Sequence, residues 1–135
     1  MAVGCLGVPP ERVFIERVVD GDTVQATDAI RFRLFGIDAP ERGMCGAREA
    51  EARLRALVEG RWVEVEDPDG QRTFDAYGRR LADLWQAHGS TGLRLLEDGW
   101  ARRTHHALRN EDYGRAEARA RDQERGMWGL CGASE

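Results

Sequence analysis

Residues 18–41 read VVDGDTVQATDAIRFRLFGIDAPE. Short apolar or alternating runs in this stretch are cut by Asp20-Gly21-Asp22, by Asp28-Ala29 and by Asp38-Ala39-Pro40-Glu41. Asp and Gly tolerate the backbone angles of tight turns, and Pro40 biases Ala39 toward an extended conformation. The spacing therefore predicts a β-meander. Its first strand begins at Glu11, with Val13, Ile15 and Val18 apolar among Arg12, Glu16 and Arg17; the second spans Thr23 to Thr27 and the third Ile30 to Ile37. In the third strand Phe32, Leu34 and Gly36 fall on one face, and Arg31, Arg33, Phe35 and Ile37 on the other. An arginine among aromatic and aliphatic neighbours is costly unless its charge is met. The acidic residues of the flanking turns are the nearest partners.

Outward from this stretch, Ala47 to Val58 has a helical stripe of Ala50, Leu54, Leu57 and Val58 with charged residues outside it. Trp62, Val63 and Val65 mark a fourth strand that ends at the turn Asp67-Pro68-Asp69-Gly70. The second half of Arg72 to Trp85 reads as a fifth strand with Leu81 and Leu84 in the core. A short helix starts near Ser90-Thr91 and stops at Gly99, a helix C-cap residue. ARRTHHALRN (101–110) reads as a loop, and a last helix spans about Glu111 to Glu124, packed by Tyr113. Met127, Trp128 and Leu130 then anchor the tail. Five short strands, with one helix after the third and two at the end, predict an α+β chain. Its form is a β-barrel with helices: a five-stranded barrel of the oligonucleotide/oligosaccharide-binding type (OB-fold) capped by three helices. An α+β sandwich uses the same elements. Residues 1–10 read as a flexible leader, 11–131 as a single domain and 132–135 as a tail.

The 135 residues suit one core, and a domain of this size buries roughly two thirds of its unfolded surface. No run of 18 apolar residues is present, which predicts no membrane span, and MAVGCLGVPPE (1–11) lacks the basic and long apolar regions of a signal peptide. A net charge of −4 argues against a footprint-type nucleic-acid binder that neutralises many phosphates, so any phosphate contact is expected to be local. All 20 basic residues are arginine. That pattern favours bidentate contacts to carboxylate or phosphate, and reads equally as a coding bias. Cys5, Cys45 and Cys131 match no zinc spacing; they allow three single disulfides, or none in a reducing compartment.

Asp20, Asp22, Asp38 and Glu41 sit on two turns that antiparallel strands bring side by side. Oxygen ligands at that density suit a hard divalent cation such as Ca²⁺, although Asp, Gly and Pro are also what turns are made of. Arg33 and the Arg79-Arg80 pair lie within β segments. They serve either as ion-pair partners or as forks that offset charge in phosphoryl transfer.

The motifs VVDGDTV (18–24), RFRLFGIDAPE (31–41), GAREA (46–50), DAYGRRLADLW (75–85), LLEDGWA (95–101) and AEARARDQERGMW (116–128) resemble the staphylococcal nuclease (thermonuclease) family in order and spacing. The resemblance covers nearly all of residues 11–131. It implies a five-stranded barrel with three helices and Ca²⁺-dependent hydrolysis of DNA and RNA that leaves 3′-phosphates. Carried over by position, Arg33 and Arg79 are the catalytic arginines and Glu41 the general base. Asp22, Asp38 and the Ala39 carbonyl are the Ca²⁺ ligands, Asp20 a nearby acid, and Tyr77 a contact to the substrate phosphate. Where the family often has base-stacking tyrosines this chain has THHAL (104–108), leaving His105 or His106 for that role. The resemblance also pairs Cys45 with Cys131, as in some bacterial members, and so implies a secreted or periplasmic protein with Cys5 as a spare thiol. DNA and RNA are the expected partners, with no membrane contact and a monomeric state. The alternative is a catalytically silent nuclease-like module that binds nucleic acid or protein, as in proteins with repeated domains of this type.

Overall fold

A computed structural model of the chain describes residues 9–104 and 110–132. Strand β1 (Arg12–Asp20) pairs antiparallel with β2 (Thr23–Ala26), Val18 facing Val24. Strand β2 pairs with β3 (Arg31–Leu34), Val24 facing Phe32. On its other edge β1 meets β5 (Trp62–Glu66), and β5 meets β7 (Arg80–Gln86). Strand β7 then returns to β3 in the parallel sense, Phe32 beside Arg80 and Leu34 beside Ala82, so the ring β3-β2-β1-β5-β7 closes. Closure removes the unpaired edges that would otherwise template association. This is the five-stranded barrel with helices expected of the OB-fold type.

Alternation along the strands fills the ring with Ile15, Val24, Phe32, Leu34, Val63, Ala82 and Leu84, each at most 1% exposed. Helices α1 (Ala47–Val58), α2 (Thr91–Glu97) and α3 (Asn110–Asp122) add Leu54, Val58, Leu95, Leu96 and Tyr113 to the same core. Ser90 caps α2 by accepting the Leu93 N–H at 3.0 Å, which satisfies one of the helix's orphan N–H donors. Beneath α2 the buried Asp83 carboxylate accepts from the Ser90 hydroxyl, from the Gly92 N–H at 3.0 Å and from the Tyr113 hydroxyl at 3.4 Å. One carboxylate thus ties β7, α2 and α3 together. Arg80, 4% exposed, does the same elsewhere: its fork meets Glu11 at 2.8 and 2.9 Å and Asp67 at 2.9 to 3.1 Å.

The third strand is shorter than its alternation implies. It stops at Leu34, turns at Phe35-Gly36 with Gly36 at φ +82°, and resumes as β4 (Ile37–Asp38). Two turn residues reset the phase, so Ile37 points into the core at 1% exposed instead of sharing the Arg33 face. Strand β4 pairs with β9 (Arg102–Arg103), inside the segment expected to be loop. Leu81 sits half-buried on the outer face while Ala82 takes the interior, because strand β7 begins its inward phase at Arg80. Trp62 is likewise outside, 54% exposed, edge-on to Phe14 at 5.6 Å with the Arg12 guanidinium 5.5 Å from its ring centre. Three small elements complete the fold: β6 (Thr73–Phe74) and β8 (Gly89–Ser90) on β7, and the single turn α4 (Met127–Leu130). Cys45 and Cys131 are joined by a disulfide that fastens the end of α4 to the loop before α1. No helix among the described residues is long and apolar enough to cross a membrane.

Candidate active site

The β1–β2 turn and the end of β4 lie side by side because β2 and β3 are neighbours, with Thr23 facing Arg33 and the Leu34 N–H bonded to the Asp22 carbonyl at 2.9 Å. Between them opens a cavity of about 480 Å³. Asp20 and Asp22 enter it from the first turn, Arg33 from β3, and Asp38 through Arg42 from the proline turn. Arg79, just before β7, closes it. Seven residues singled out from the sequence, Asp20, Asp22, Arg33, Asp38, Ala39, Glu41 and Arg79, therefore line one space.

Arg33 is the centre of the hydrogen bonding. Its Nη1 donates to the carbonyls of Leu34 at 2.7 Å and Ile37 at 2.8 Å, spanning the Phe35-Gly36 turn. Its Nη2 bonds the Asp38 carboxylate and lies 3.4 Å from Asp22 Oδ2. The Asp22 carboxylate also accepts the Ala39 N–H at 2.9 Å, which locks the two turns to each other. Asp20 shapes its own turn by accepting the Asp22 N–H at 3.1 Å. Burial pushes the Asp22 carboxyl up to about 6, the Asp20 carboxylate adding to the rise and the Arg33 guanidinium and Ala39 N–H opposing it. Asp38, with a side chain 58% exposed, stands toward solvent at the rim.

Arg79 is held by Asp75, which accepts from its Nε at 2.7 Å and from its backbone N–H at 2.9 Å, and by the Thr23 hydroxyl at 3.3 Å. Its guanidinium lies 5.3 Å from the ring centre of Tyr77, which is 84% exposed at the tip of the β6–β7 connection. Tyr77 flanks the cavity rather than lining it. The neighbouring Arg80 is turned inward to Glu11 and Asp67, so of the Arg79-Arg80 pair only Arg79 belongs to the site. Arg42 was not singled out by sequence, yet it lines the cavity and donates to the Val19 carbonyl at 2.8 Å. Its one signal is its place directly after Glu41. His105 lies outside the described residues.

Among the described residues no three His, Cys, Asp or Glu side chains make up a metal-holding cluster by themselves. Four carboxylates, of Asp20, Asp22, Asp38 and Glu41, do line the cavity, and burial disfavours the charge of Asp22. That set fits a hard cation that takes part of its oxygen shell from backbone carbonyl and water. Asp22 and Asp38 would hold it, with the Ala39 carbonyl beside them.

Acids and guanidinium forks around one open space are groups that chemistry suits to a phosphate and a cation met together. Residues 31–129 match the family described as Staphylococcal nuclease homologue. The chain belongs to the staphylococcal nuclease family. It is 32% identical over 135 residues to Micrococcal nuclease of Shigella flexneri, covering 90% of this chain and 75% of that protein. It is 32% identical to Uncharacterized endonuclease of Escherichia coli O157:H7, over 84% of this chain and 74% of the relative. It is 29% identical to Protein ParB of Escherichia coli, over 84% and 70% respectively.

Proposed function

We propose that this chain is a Ca²⁺-dependent, sugar-non-specific nuclease that hydrolyses phosphodiesters in DNA and RNA and leaves 3′-phosphates. The meeting of Arg33, Arg79 and Glu41 with Asp22 and Asp38 around one cavity carries this reading. Asp22, Asp38 and the Ala39 carbonyl would hold the calcium ion, which would supply positive charge to offset that of the phosphate. Arg33 and Arg79 hold the equatorial oxygens as negative charge grows, each with a planar fork that a lysine lacks. Glu41 orients the attacking water and accepts its proton. The water oxygen bonds to phosphorus in line with the 5′-oxygen, the P–O5′ bond breaks, the departing 5′-oxygen takes a proton from solvent water, and the phosphate stays on the 3′-oxygen. Tyr77 contacts a substrate phosphate beside Arg79, Asp20 keeps the turn of Asp22 in shape, and His105 offers a ring to a base.

A silent binding module would gain nothing from acids and arginines crowded at partly buried positions, where the charges cost stability. The Cys45–Cys131 disulfide supports a secreted or periplasmic home, since such bonds persist in oxidising compartments. We take the working form to be a monomer.

Side-by-side digestion of single- and double-stranded DNA and RNA tests the reading. Cleavage is expected with millimolar-range Ca²⁺, because a site of few protein ligands and several waters is weak. Products should carry phosphatase-sensitive 3′ ends. Undiminished cutting in excess chelator would remove Ca²⁺ from the account.

A further inference from the structure

Behind the wall formed by Asp38, Ala39, Pro40 and Glu41 lies a second cavity of about 350 Å³. The wall has two characters: one side faces the acids and arginines described above, the other faces Met44, Met127 and the Cys45–Cys131 disulfide. Arg102 stands at its edge. We propose that this second cavity is a base subsite, which takes the nucleobase of the nucleotide whose 3′-oxygen carries the phosphate under attack. The proposal rests on the nuclease reading and adds a substrate contact to it.

Position argues for this occupant first. Glu41 is in the wall of both cavities, so a chain whose phosphate reaches the first passes directly beside the second. In-line attack places the water on the Glu41 side and the departing 5′-oxygen on the far side. The nucleoside that leaves is thus directed away from Glu41, and the one that keeps the phosphate is within reach of the second cavity.

Chemistry and size agree. Ligand cavities begin at about 300 Å³, which makes this one sized for a base and part of its sugar. Thioether sulfurs make favourable, adaptable contacts to aromatic rings and read no particular hydrogen-bond pattern, which suits a subsite that admits any base. Met44 is 61% exposed at the mouth, so its packing against the rest of the protein does not explain an apolar side chain there. Arg102 is steadied by the backbone pairing of its residue with Asp38 and by Trp128, whose ring centre lies 4.7 Å from its guanidinium. It offers a flat cation to the base edge or the next phosphate.

The cavity is also built to keep its shape. Gly46, at φ +87°, packs against three of its lining residues: a Cβ there would stand 3.2 Å from Met127 Cβ, 3.5 Å from Pro40 Cγ and 3.6 Å from Cys131 Sγ. The disulfide holds α4 against the same turn.

Dinucleoside monophosphates offer a single cleavable bond and decide the matter. Steady-state rates are measured for the wild type, Met44→Glu and Met44→Leu on an intact dinucleotide, on one whose 5′ residue is an abasic deoxyribose, and on one whose 3′ residue is abasic. Met44→Glu should lose about tenfold in kcat/KM on the intact substrate, mostly through KM, a change equivalent to about 1.4 kcal/mol. Met44→Leu should restore it. The Met44→Glu loss should persist on the 3′-abasic substrate and vanish on the 5′-abasic one. Equal rates for Met44→Glu and wild type on the intact dinucleotide, or the same loss on all three, overturn the subsite while leaving the nuclease standing. If the wild type cleaves nothing, the nuclease reading fails. Binding of a dinucleotide with 2-aminopurine at its 5′ position, followed by fluorescence in chelator, then judges the cavity: loss of the signal in Met44→Glu supports it and an unchanged signal overturns it.

Discussion

Arg33 meets four partners: the carbonyls of Leu34 and Ile37 and the carboxylates of Asp22 and Asp38. It is at once the clamp of the turn that ends β3 and the cation nearest the acids. Lysine keeps the charge and loses the fork, so Arg33→Lys and Arg79→Lys should each lower kcat by about 10²–10³. Rates near wild type in both would reassign these arginines to structure. Asp22 is the converse case. Its charge is disfavoured by burial, so in chelator Asp22→Asn should raise the melting temperature, equivalent to about 1–2 kcal/mol, while cleavage is lost. A lower melting temperature would show that the Arg33 contact outweighs burial. The residues of both turns were legible in the sequence as types and spacings. That Asp22 reaches across to the Ala39 N–H, and that Arg80 turns away while Arg79 stays, depends on contacts between elements far apart in the chain.

At the scale of elements, α1 was legible almost to the residue, because its apolar stripe is bounded by Gly46 and Gly60. The β3–β4 segment was not. An unbroken alternation hides the turn at Phe35-Gly36, since Phe35 is apolar and Gly36 fits either a strand or a turn. The crossing of Gly99 and Gly126 was equally invisible. Gly99 has φ +82°, and a Cβ on it would come within 2.2 Å of the Arg125 carbonyl oxygen. The same crossing lets the Met127 N–H reach the Gly99 carbonyl at 2.9 Å. Gly99→Ala should therefore cost about 2–4 kcal/mol in denaturant unfolding, combining backbone strain with a clash against main chain. A cost below 1 kcal/mol would mean that the tail can shift aside.

For the whole molecule, two links join distant parts of the chain. Arg80 holds Glu11, at the entrance to β1, and Asp67, beyond β5. The hydrogen bond from Arg80 holds the Glu11 carboxyl below its usual 4.5, so its contribution is present above that value and fades as pH falls through the lowered one. Glu11→Gln should cost about 1 kcal/mol at pH 7, a small figure because the side chain is 40% exposed, and nothing once the pH is well under 4. Melting curves of both proteins from pH 3 to 7 check the sign; a difference that grows on acidification would contradict it. The second link is the disulfide, which closes a sequence separation of 86 residues. On loop-entropy grounds its reduction should cost about 4.6 kcal/mol at most, read as a lower melting temperature in dithiothreitol.

What the amino-acid order settled alone was local: the apolar periods of five strands and the helices, the turn residues between them, and the family motifs that place acids and arginines at particular numbers. Each depends on neighbours a few positions apart, where periodicity and turn preference act. The three-dimensional structure decided which charges meet. Arg33 between Asp22 and Asp38, Arg79 against Asp75, Arg80 turned away, Arg42 added, and an apolar cavity behind Glu41 all follow from barrel closure through β3 and β7 and from the return of the tail beside Pro40. Charge and cavity are properties of through-space distance, and spacing along the chain does not encode that until the strands have paired.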